Sequence, residues 1–142
     1  MPLSENDEEV FTEGGHPFQT PPGQTLAVAA EALYIANLLV LPGLSFIILL
    51  KLYFKHRTSA PLLAICHLKQ TVAASIWAGI LLVAANLAIL LLGGYTSANT
   101  WTVLIIYFTT CHSTLVLLGI LGLAKAMAGQ KYIFPLLGRP CE

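Results

Sequence analysis

Three long apolar blocks, separated by short polar connections, dominate the chain. Residues 32–50 run for 19 positions without a charge, and residues 52–54 extend the block past Lys51. Residues 71–92 form a second uncharged block of 22, and 101–124 a third that Lys125 closes. A membrane helix needs about 20 apolar residues to cross roughly 30 Å of hydrocarbon. The pattern predicts an all-α integral membrane protein with three transmembrane helices, over 26–54, 71–92 and 101–125. A basic connection over 55–70 joins the first two. The turn at 93–100, GGYTSANT, is short enough to make the second and third antiparallel neighbours. Residues 126–142 form a C-terminal tail, in which Gly129 is placed to cap the last helix. Residues 1–25 are acidic, rich in Pro and Gly and without periodicity, which predicts an extended tail, disordered alone, that docks on a partner.

Composition agrees with a membrane setting: 56% of the residues are hydrophobic and 10% charged, against about 25% charged in an average soluble domain. Net charge is zero, but the signs are segregated. Six of the seven acids lie at or before Glu31, and all seven bases at or after Lys51. Bases in short flanking loops stay on the cytoplasmic side. Lys51, Lys55, Arg57 and Lys69 lie between the first and second blocks, and Lys125, Lys131 and Arg139 follow the third. Three spans would then put the acidic tail outside and the C-terminus inside, as in a bacterial inner membrane with a periplasmic N-terminus. Nucleic-acid binding is excluded as a reading, since it calls for a basic patch interleaved with aromatics. The first 25 residues hold five acids and no Lys or Arg, so no signal peptide is expected. Cys66, Cys111 and Cys141, odd in number and widely spaced, predict free thiols.

Candidate chemistry is sparse. Pro42-Gly43 interrupts the first block and predicts a kink or a close helix contact. Ala73, Ala74, Ala78 and Gly79 offer a small-residue face on the second helix. Asn86 is expected to bond across to another helix, with His112 as one possible partner. His112, deep in the third block beside Cys111, is a functional-site candidate by its depth: a haem or metal ligand, a proton relay, or a neutral imidazole bonded within the protein. About 18 Å of helix rise separates its level from that of His67, which therefore does not supply a second ligand. No carboxylate occurs between Glu31 and Glu142, so paired-carboxylate chemistry inside the membrane is not available. No phosphate-binding glycine loop is present either. The chain reads as no enzyme, with no cofactor or metal and no small-molecule substrate.

Two short stretches carry a family resemblance. Ser59-Ala60-Pro61 followed by His67-Leu68-Lys69-Gln70, together with the closing Gly129-Gln130-Lys131-Tyr132-Ile133-Phe134-Pro135-Leu136, resembles the pattern of Tic20-like small membrane proteins of the DUF4870 type over about residues 33–137. Ala60 interrupts the Ser-Pro pair, Phe134 stands where a Tyr is usual, and the acidic tail is additional. The resemblance implies a small helical membrane protein whose cytoplasmic interface is formed by His67, Lys69, Gln70, Tyr132, Phe134 and Pro135. Two classes of function follow: a non-catalytic accessory subunit of a larger membrane complex, or a Tic20-like translocation or channel component. A haem or metal carrier working through His112 is a third.

Overall fold

The computed structural model describes residues 20–135, 138 and 140. Its regular elements are helical: α1 (Gln24–Leu39), α2 (Leu44–His56), α3 (Leu62–Leu91), α4 (Ala98–Ile106), a π-helical turn (Tyr107–His112) and α5 (Ser113–Met127). The last three run on as one stretch, Ala98–Met127. That stretch and α3, 30 residues each, are long and apolar enough to cross a membrane, whereas α1 is shorter.

The expected single helix over 26–54 is in fact two helices, because the break at Pro42-Gly43 is complete. Pro42 has no N–H to continue the ladder, and Gly43 adopts φ +86°, a left-handed value that disfavours any side chain. A Cβ on Gly43 would meet nothing within 4 Å, so backbone conformation, and no close helix contact, calls for glycine here. Beyond the break the chain folds back. Leu26, Ala30 and Leu33 of α1 share one cluster with Leu49, Leu50, Leu52 and Tyr53 of α2 and with Leu68 and Val72 of α3. In place of three full-length helices, the protein has two long stretches and a helical hairpin whose arms are about 24 Å and about 20 Å long.

The expected connection over 55–70 also shrinks. Pro61 takes the N-cap position of α3, with an extended φ of -56° and ψ of 150°, and the helix starts at once. Proline suits a helix start because it lacks an N–H that would be unpaired there anyway. His67, Lys69 and Gln70 are therefore helical.

The hairpin lies along the first half of α3. Ala27 clusters with Leu63 and Ala126, and Tyr34 with Ala74 and Phe134, so α1 runs parallel to α3 and antiparallel to α5. Gln24 Nε2 donates to the Met127 carbonyl at 2.5 Å, and a Cβ on Gly23 would lie 3.0 Å from Pro61 Cβ. The start of α1, the end of α2, the start of α3 and the end of α5 thus meet at one end, here the basal end. This corrects the expectation that the segments before the first helix and after the last emerge at opposite ends. The acidic tail itself lies, over residues 1–19, outside the described residues.

Candidate functional site

Two polar features stand out against this apolar frame. The first fastens the basal end. His67 Nδ1 lies 2.6 Å from Glu31 Oε1, and its Nε2 lies 3.0 Å from the Gln130 carbonyl oxygen. Both side chains are fully buried. A carbonyl only accepts, which fixes one proton on Nε2, and the pair shares the proton between Nδ1 and Oε1. Either placement leaves the pair without net charge, which is the condition for burying it. The backbone of Phe134 donates to Gln70 Oε1 at 3.5 Å, the Phe134 ring packs on Tyr34 at 5.8 Å, and Cys66 Sγ lies 3.8 Å from the Tyr132 carbonyl. His67 and Gln70 therefore meet the segment 130–134. Lys69 is half-buried and Pro135 exposed beside them. Burial and the nearby Glu31 carboxylate push the Tyr132 hydroxyl above its ordinary value. Cys66 is disulfide-bonded, against the expectation of a free thiol, and Cys111 is free.

Glycine on α5 makes room for this cluster. A Cβ on Gly122 would lie 2.5 Å from Glu31 Oε2, and one on Gly119 2.8 Å from the Tyr34 ring. The Tyr34 hydroxyl donates to the Leu115 carbonyl at 3.1 Å. Gly119 and Gly122 thus seat α1 against α5, as Ala74 does against α3. Gly79, expected in that role, faces open space.

The second feature is a cavity of about 730 Å³ between the hairpin's turn, the middle of α3 and the π-helical turn. Asn37, Pro42, Gly43 and Phe46 close it on the hairpin side, Ser75 and Gly79 on α3, and Tyr107, Phe108 and His112 opposite. Pro42, Gly43 and His112 are thereby brought together. Hydroxyls hold the π turn: Thr109 donates to the Ile105 carbonyl at 2.6 Å, Ser113 to Phe108 at 2.7 Å and Thr114 to Thr110 at 2.6 Å, and Thr110 bonds Ile106. Such bonds satisfy carbonyls that the wider helix displaces, and π turns recur at functional sites. The turn aims the His112 ring at Phe108, centroids 5.2 Å apart and edge-on. Asn37 Oδ1 accepts from the Gly43 N–H at 2.9 Å, holding the hairpin's turn. Ser75, only 5% exposed, has a hydroxyl with no partner.

Asn86 does not join this group. Its Nδ2 donates to Leu82 one turn earlier, and its Oδ1 accepts from the Tyr95 hydroxyl, both at 2.8 Å. The expected bond to another helix is replaced by one to the turn after α3, which has Tyr95 within reach. Among the described residues, no group of three or more His, Cys, Asp or Glu could hold a metal. Sequence reasoning missed Glu31, Tyr34, Ser75, Gly119 and Gly122. A lone acid at the edge of an apolar block and a Gly-x-x-Gly in the third block were the signals at hand. No family model, curated protein or solved structure matches the chain.

Proposed function

We propose that the chain is a non-catalytic accessory subunit of a larger membrane protein complex, and that a helix of a partner subunit covers its hairpin turn. One observation carries the reading. The turn at 40–43 is level with the middle of α3, which would be the centre of a bilayer crossed by that helix, and it is exposed: Val40 70% and Leu41 50%. Irregular backbone at that depth persists only where protein or a water-filled cavity covers it, since an unpaired peptide group in hydrocarbon costs several kcal/mol. Asn37 satisfies the Gly43 N–H, Val40 and Leu41 donate to the Ala36 carbonyl and Ser45 to the Leu41 carbonyl, while the other carbonyls that end α1 lie beyond its last helical N–H groups. A partner's helix would remove this backbone from lipid.

A photo-crosslinking residue in place of Leu41, in native membranes, tests the proposal. The expected product is one adduct of discrete mass with a different membrane protein, absent when the same residue replaces Leu117 on the outer face of α5. Adducts with lipid alone from both positions would sink the reading. So would an adduct of twice this chain's mass, which would assign the cover to a second copy.

A further inference from the structure

We propose that the cavity between the hairpin turn and the π-helical turn binds an uncharged, planar, carbonyl-bearing lipophile, a class for which quinones are the membrane-soluble example. Its volume of about 730 Å³ lies within the roughly 300–1,000 Å³ typical of small-molecule sites. No Asp, Glu, Lys or Arg lines it, which selects an uncharged ligand, because a charge would be buried without a counterpart.

Each of the polar side chains present can donate a hydrogen bond. Asn37 Oδ1 is already engaged by the Gly43 N–H, which leaves the amide NH₂ of Asn37 to donate. The Ser75 hydroxyl lies just beneath the cavity wall, buried without a partner, and a rotation about its side chain would turn it toward an acceptor in the cavity. Tyr107 and His112 add an O–H and an N–H on the facing wall. Donors converging on an apolar space fit ring carbonyls. Phe46, Tyr107 and Phe108 supply aromatic faces and edges for a flat ring, with the Tyr107 and Phe108 centroids already 5.3 Å apart in an edge arrangement. The site is independent of the partner proposed above, which would cover the outer side of the turn.

Gly79 offers the cleanest test. It borders the cavity, and a Cβ there meets nothing within 4 Å, so the side chain of Gly79→Leu starts from open space and takes up room beside the lining. The full chain carrying Trp101→Phe, reconstituted in nanodiscs, is titrated with menadione while fluorescence of the remaining Trp77, next to the lining residues Ile76 and Ala78, is followed. Saturable quenching is expected. Gly79→Leu should abolish it at an unchanged melting temperature, and His112→Phe and Ser75→Ala should each weaken it about tenfold, the loss of one hydrogen bond. Decanol, apolar but without a ring carbonyl, should compete poorly. Non-saturable quenching of the wild-type chain, equal competition by decanol, or wild-type binding by Gly79→Leu would each overturn the proposal.

Discussion

At the scale of single residues, the consequential group is the carboxylate of Glu31. It sits with His67 in a space that exists because α5 carries glycine at 119 and 122. Removing one member of a buried pair leaves the other without a counterpart, a loss of about 3–5 kcal/mol where this has been measured. Glu31→Ala is therefore expected to lower stability by several kcal/mol, and Glu31→Ala with His67→Leu to recover much of it, since the second change removes the stranded imidazole. Thermal unfolding of the single and double variants in one detergent reads the comparison; a double variant as unstable as the sum of the singles would show that the two side chains do not act as a pair. Gly122→Ala should behave like the loss of Glu31, because its Cβ would claim the position of Oε2.

At the scale of elements, the break between α1 and α2 depends on two devices, the Pro42-Gly43 pair and the Asn37 side chain. The amide of Asn37 caps Gly43 at 2.9 Å, and removing a capping side chain costs about 1 kcal/mol. Asn37→Ala should loosen the turn by that order, and Gly43→Ala by about as much through its unfavourable φ. Changing both Pro42 and Gly43 to Ala should let 24–56 run as one helix, moving the start of α1 to the opposite end from α3. Crosslinking of cysteines placed at Thr25 and Ala128 reads this directly: efficient in the parent, lost in the double variant, and unchanged if the turn is imposed by packing alone. This element also shows where sequence reasoning stopped. The apolar run across 32–50 and the presence of Pro-Gly were legible, but a kinked span and a folded-back hairpin share that pattern. What separates them is contact between Leu26, Ala30 and Leu33 and the second arm, a long-range fact that hydropathy does not carry. The third block, expected over 101–125, lies close to the stretch Ala98–Met127, whereas the second, expected from 71, begins at Leu62 because the polar run 67–70 is helical as well. The basal motif was legible as two pieces at the same end, while its centre, Glu31, fell just outside the uncharged block and was counted as part of the charge asymmetry.

At the scale of the molecule, the hairpin changes the membrane geometry that the charges imply. With α3 and the stretch Ala98–Met127 as the crossings, the described bases on α2, α3 and α5 and the two described ends of the chain all belong to the basal side. Basic flanks are retained in the cytoplasm, which predicts that both described ends lie there and the turn Gly93–Ser97 outside. The Cys66 disulfide pulls the other way, because such bonds are rare in reducing compartments. It is a single bond at a fully buried sulfur, set against six described bases, Lys51, Lys55, Arg57, Lys69, Lys125 and Lys131. Cysteines introduced at Thr20, Gln130 and Thr96 in a background lacking the native three, probed with a membrane-impermeant maleimide, decide the matter. Thr20 and Gln130 are expected to label together from the cytoplasmic face, with Thr96 labelling only from outside. Labelling of Thr20 and Gln130 from opposite faces would restore a third crossing and remove the exposed turn on which the accessory-subunit reading rests. Labelling of both from the outer face would leave the fold intact and make the disulfide, rather than the bases, the better guide to orientation.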